Sequence, residues 1–155
     1  MRIFSLYLFR EYSHNSFLKE TMPRRRRLRK VVEPPGFRGY KPYGINGTPN
    51  DTVELLYEEY EALKLADYDL MNHQEASEIM GVSRPTFARI YESARRKIAR
   101  ALVETKEIKT VFGNAWMDKN WYECNVCHAR FTIPRTFKEH CCPLCLSEKI
   151  ELLNT

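Results

Sequence analysis

Four cysteines in the last third of this 155-residue chain are spaced for metal chemistry. Cys124-Asn125-Val126-Cys127 is followed, after 14 residues, by Cys142-Pro143-Leu144-Cys145. Two C-x2-C turns at this separation let four thiolates converge tetrahedrally on one ion, with backbone N–H groups of each turn donating to sulfur. Such a shell is filled, which suits a structural metal and leaves no open position for catalysis. A structural zinc ion, one per chain, is the expectation. A rubredoxin-like iron site is the alternative, because four-thiolate geometry does not choose between them. Cys141 is a surplus thiol; as a replacement for Cys142 it would give a less suitable x3 spacing. His128 and His140 abut the two turns and read as neighbours rather than ligands. A disulfide framework is not expected: the cysteines number five and are confined to one region.

A second stretch carries recognition chemistry. Gln74-Glu75-Ala76-Ser77-Glu78-Ile79-Met80-Gly81-Val82-Ser83-Arg84-Pro85-Thr86-Phe87-Ala88-Arg89-Ile90 reads as a helix-turn-helix. Ala76 is small where two helices cross, Gly81 permits the positive φ of the reversal, and Val82 plugs the turn. Ser83 suits an N-cap, and Pro85 is tolerated in the first turn of the next helix. With Phe87, Ile90 and Ala94 inward, Arg84, Pro85, Thr86, Ala88 and Arg89 lie where a recognition helix meets base edges. Arg84 and Arg89 could make bidentate contacts to guanine. Arg95, Arg96, Lys97 and Arg100, further along, would reach phosphates.

Charge segregation supports an anionic partner for these surfaces. The chain carries a net charge of +5. Residues 22–50 hold eight basic side chains against one acidic, and residues 84–100 six against one. Between them, residues 51–83 hold nine acidic side chains against one lysine. Arg24, Arg25, Arg26 and Arg27 form a second basic element that would track phosphate or a minor groove.

The elements that must hold these groups are legible in outline. Residues 31–50 are rich in Pro and Gly, which excludes a helix there. Phe37, Tyr40 and Tyr43 interleave with Arg38 and Lys41, as in an extended arm docked through its aromatics. From residue 53 to about 105 the pattern is helical, with Leu55, Leu56, Tyr60 and Leu63 at helical spacing. It predicts a helix over 57–68, with Glu58, Glu59 and Glu61 suiting its positive end, and a short one ending near Met80. The third, about five turns long, carries the stripe Phe87, Ile90, Tyr91, Ala94, Ile98 and Leu102. Ile108, Val111 and Phe112 suit a strand, as do Trp121-Tyr122, Arg130–Ile133 and Lys149–Leu153 beside the cysteines. Met22-Pro23 opens the basic run, and translation from Met22 would make residues 1–21 an upstream extension. No window approaches the length of a membrane span.

Tyr57–Asp67, the helix-turn-helix residues Gln74–Ile90, and Glu92–Glu104 together resemble the predicted DNA-binding family known as domain of unknown function 134. Met22-Pro23-Arg24-Arg25, Pro34 and Lys41-Pro42-Tyr43-Gly44 resemble that family's start. The likeness covers residues 22 to about 112 and implies a helix-turn-helix similar to region 4 of sigma factors. Some relatives have Gln where Pro85 stands, so this chain lacks an amide that could read adenine.

The expected fold is mainly α: a possible extension over 1–21, a basic arm over 22–50, a helix-turn-helix domain over 51–112 and a β zinc ribbon over 113–155. The expected function is sequence-specific binding of double-stranded DNA in transcriptional regulation, in the cytoplasm, with no catalytic activity. RNA polymerase or another protein could meet the ribbon, whose metal-loaded cluster adds two negative charges, and a homodimer is open to such a fold. The rivals are a polymerase-associated interaction factor and an RNA-binding protein using the arginine-rich arm.

Overall fold

The computed structural model describes residues 27–44, 51–134 and 140–153. Its frame is a parallel strand pair whose crossover contains the helices. Strand β3 (Thr52–Leu56) lies beside β4 (Glu107–Val111), with Val53 opposite Ile108 and Leu55 opposite Thr110. Val53 and Leu55 are buried while Thr52 and Glu54 face solvent, the alternation of a half-covered strand. Parallel strands need a long crossover. Here it is α1 (Tyr57–Leu63), α2 (His73–Ile79) and α3 (Arg84–Val103).

Local chemistry fixes each helix end. Glu59 reaches back to accept from the Leu56 N–H at 2.9 Å, closing the first turn of α1. After Leu63 the helix widens into a π turn over Lys64–Tyr68, where the Asp69 N–H donates to the Lys64 carbonyl at 2.8 Å. Asn72 caps α2 by accepting from the N–H groups of Gln74 and Glu75, and Glu75 returns a bond to the Asn72 N–H. Gly81, at φ +64°, makes the reversal that the sequence requires. The Ser83 hydroxyl then accepts from the Thr86 N–H at 3.4 Å, and Pro85 sits in the first turn of α3.

Two apolar clusters hold this body together. Ala62, Leu65, Ala76, Met80, Phe87 and Ile90 fill the corner of the helix-turn-helix. Val53, Leu55, Ala94, Ala101 and Ile108 join α3 to the sheet. A third cluster, Val31, Tyr57, Ala115 and Met117, gathers residues from the arm, α1 and the connector, with Trp121 and Leu153 of the ribbon against it.

The mainly α expectation is corrected to a mixed α/β fold, because eight short strands accompany the three α-helices among the described residues. Leu55 and Leu56, which fit a helical period, belong to β3. Within the arm, β1 (Arg29–Lys30) pairs parallel with β5 (Ala115–Trp116), and β2 (Gly39–Tyr40) pairs antiparallel with β4. The Phe37 ring packs edge-on to Tyr60 at 5.8 Å. The C-terminal unit is a three-stranded antiparallel sheet with β6 (Trp121–Cys124) between β7 (Arg130–Thr132) and β8 (Ile150–Leu152). No helix among the described residues is long and apolar enough to cross a membrane.

Candidate functional site

The four cysteines meet. The sulfurs of Cys124, Cys127, Cys142 and Cys145 all lie within 4.8 Å of one another. Cys124 Sγ is 3.5 Å from Cys145 Sγ, and Cys127 Sγ is 3.5 Å from Cys142 Sγ. A tetrahedral shell with metal–sulfur bonds of about 2.3 Å needs sulfurs about 3.8 Å apart, so the set fits one ion. The cysteines are free thiols. Cys141 lies outside the cluster, as do His128 and His140.

The two turns are built alike. The Cys124 N–H donates to the Ala129 carbonyl and the His128 N–H to the Cys124 carbonyl. The same pair recurs from Cys142 to Ser147 and from Leu146 to Cys142. His128 and Leu146 occupy matching positions with φ +60° and +59°. Cys124 and Cys142 are buried, Cys127 and Cys145 exposed. Backbone N–H groups of Cys127 and Val126 draw the Cys124 thiol down to about 6, whereas at Cys145 the Ser147 N–H is outweighed by burial and the Cys124 side chain, which push that thiol up to about 12.

Glu123, next to the first ligand, ties this unit to the arm. Its buried carboxylate accepts from Arg130 Nε at 2.8 Å and from Arg38 Nε at 2.6 Å. Burial opposes its ionisation, but the two guanidinium groups hold its carboxyl below the usual range. Arg130 also donates to the Pro35 carbonyl and lies 5.5 Å from the centre of the Tyr57 ring. Sequence reasoning missed this ion cluster, because Arg38 is 85 residues from Glu123, and Arg130, seven residues away, meets it only across the β6–β7 pair.

The second candidate surface is the exposed face of α3. Arg84, Pro85 and Arg89 are exposed, and Thr86 and Ala88 are half-buried. Arg84 and Arg89 have no ion-pair partner among the described residues. A shallow depression lined by Ala88, Arg89, Glu92, Ser93 and Arg96 continues along the helix. The other basic residues of α3 are already engaged. Arg96 pairs with Glu92 at 2.7 Å and Arg100 with Glu104 at 3.1 Å, while Arg95 lies over the Tyr91 ring. Lys97, read as a phosphate contact, is bonded at 2.6 Å to Glu59, which is buried and also accepts from Ser93. Arg27 is exposed. Arg24, Arg25 and Arg26 lie outside the described residues.

The three glutamates of α1 also act differently from a simple complement to the helix dipole. All are buried. Glu58 accepts from the Asn114 N–H at 3.2 Å and faces Arg29 at 3.7 Å. Glu61 has no closed hydrogen bond, although the backbone N–H groups of Val32 and Glu33 point toward it; burial pushes its carboxyl up.

Comparison with known proteins places the chain in a family. The model of the family described as "Protein of unknown function DUF134" matches residues 19–117, which contain the whole helix-turn-helix. The chain belongs to the DUF134 family. UPF0251 proteins resemble it along most of their length. The protein of Chloroherpeton thalassium is 38% identical over 130 residues, covering 84% of this chain and 86% of its own. That of Pelotomaculum thermopropionicum is 39% identical over 126 residues, covering 81% and 95%. That of Methanothermobacter thermautotrophicus is 38% identical over 134 residues, covering 86% and 69%. No solved structure matches the chain. The DUF134 match ends before Cys124, so the cysteine cluster lies beyond it.

Proposed function

We propose that this DUF134 protein is a sequence-specific DNA-binding regulator of transcription that acts in the cytoplasm, without catalytic activity, and reads the major groove with the start of α3. The observation that carries this reading is the pair Arg84 and Arg89: exposed, without ion-pair partners among the described residues, and five positions apart at the start of a helix anchored by Phe87 and Ile90. Guanidinium groups so placed suit bidentate contact with guanine. Arg95, Arg96 and the arm residues Arg24, Arg25, Arg26 and Arg27 would supply phosphate contacts. Lys97 would first have to leave Glu59. The test is binding to duplex DNA across a range of salt concentrations. The reading expects affinity to fall linearly on logarithmic axes by about 0.9 per phosphate contact. Competition by RNA as strong as by DNA would favour the RNA-binding rival instead.

The cluster Cys124, Cys127, Cys142 and Cys145 would hold one structural zinc ion. A second role for this unit is contact with protein, including RNA polymerase or a second copy. It is favoured by the exposed aliphatic side chains of Val126, Leu144 and Leu146 at the tips of the two turns. Loss of polymerase binding in Leu144→Ser with DNA binding intact would support that role.

A further inference from the structure

A hollow of about 510 Å³ opens between the arm, α1 and α3, and neither the cysteines nor Arg84 and Arg89 line it. Its volume is within the usual range for small-molecule sites of about 300–1,000 Å³. Phe37, Tyr40, Tyr60 and Tyr68 supply four aromatic rings to its walls, and Ile98 of α3 contributes an apolar surface. Tyr40 and Tyr68 keep 60% and 82% of their surface exposed, although the Tyr40 ring already packs on Phe37 at 4.4 Å, so the free surface of both is open to a ligand. The π turn is the second observation. Single π turns occur frequently at functional sites, and this one ends α1. Here three of its five residues, Lys64, Asp67 and Tyr68, line the hollow.

The charges choose the ligand class. The Lys64 ammonium faces Glu33 at 3.6 Å, so its charge is answered. The Asp67 carboxylate accepts from the Tyr91 hydroxyl at 2.5 Å, which Arg95 also approaches, and makes no ion pair of its own among the described residues. Asp69 lies exposed beside it in the chain. Aromatic faces attract cations, and a carboxylate at the rim adds to that attraction. We propose that this hollow binds an organic cation, an ammonium group carried on an apolar body. The ammonium lies against Asp67 and the tyrosine faces, and the apolar body lies on Phe37 and Ile98. Tyr91 and Ile98 both belong to α3, so occupancy would bear on the recognition helix; that last step rests on the DNA-binding reading, whereas the site itself does not.

Benzyltrimethylammonium is the probe, titrated calorimetrically into the full-length protein without DNA. Saturable binding at one site per chain is expected, with phenylacetate, of opposite charge, not binding. Asp67→Asn keeps an acceptor for Tyr91 and removes the charge; it should weaken the probe about tenfold. Tyr40→Ala, at an exposed ring, should weaken it by a similar factor and leave the circular dichroism spectrum unchanged. Absence of saturable binding, equal binding of phenylacetate, or an unchanged affinity in Asp67→Asn would overturn the proposal. So would self-association that the wild-type protein shows and Tyr68→Ala abolishes, because a second copy would then be the occupant. Duplex binding with and without probe is measured separately, so failure of the DNA reading leaves the titration interpretable.

Discussion

Single side chains decide whether the four-cysteine cluster can hold a metal. Serine at Cys124, Cys127, Cys142 or Cys145 should each abolish stoichiometric metal, while Cys141→Ser should retain it, because Cys141 is outside the sulfur cluster. Elemental analysis of the five variants checks this, and identifies the metal as zinc or iron. Glu123 is the other sensitive position. Removing its charge leaves buried Arg130 without its partner, a loss of about 3 kcal/mol by analogy with broken buried pairs. Its lowered carboxyl means that the stabilisation is present above the ordinary glutamate range and is lost as pH falls through the folded value. Glu123→Gln should therefore lose stability at neutral pH and show a flatter acid limb in denaturant titrations. Glu61 has the opposite sign. Its raised carboxyl makes folding more favourable below the ordinary glutamate range, and that advantage fades as pH rises through the folded value. Glu61→Gln should thus stabilise the protein most at high pH.

At the scale of elements, caps and close approaches set the boundaries. Ser83→Ala removes the side-chain acceptor at the start of α3 and should cost about 1 kcal/mol. Gly39→Ala should cost more, since a Cβ there would stand 2.2 Å from the Ile108 carbonyl oxygen and prise β2 from β4. Thermal denaturation of both variants orders the two effects. Much of the helical layer was legible in the sequence: Ser83, Gly81 and the Phe87–Ile90–Ala94 stripe mark α3 by chemistry that acts within a few residues. So were the cysteine turns, because metal ligation imposes short fixed spacings. The strands of the arm were not, since two residues show no periodicity, and Leu55 and Leu56 fit a helical stripe as well as a strand. The π turn left no mark in residue types. Lys97 read as a free cation because its partner Glu59 lies 38 positions away.

The whole molecule is more joined than its segments suggest. A ribbon of this size cannot hold itself by apolar burial alone, so metal ligation should be coupled to its folding. Chelation should unfold the C-terminal unit while the two clusters around α3 keep the helices formed. Yet Trp121 and Leu153 lie against the cluster containing Val31, and Glu123 holds Arg38. Hydrogen exchange after chelation should therefore rise also in residues 29–40, and not only beyond residue 120.

The central claim concerns α3 and duplex DNA. Its most direct test is selection of bound duplexes from a random-sequence pool, followed by titrations of the selected and of random duplexes with wild type and Arg89→Ala. The account predicts one recovered sequence motif. It predicts that Arg89→Ala weakens the selected duplex by about 1–3 kcal/mol and leaves random duplexes nearly unaffected. Recovery of no motif, or an equal loss on both duplexes, would contradict it.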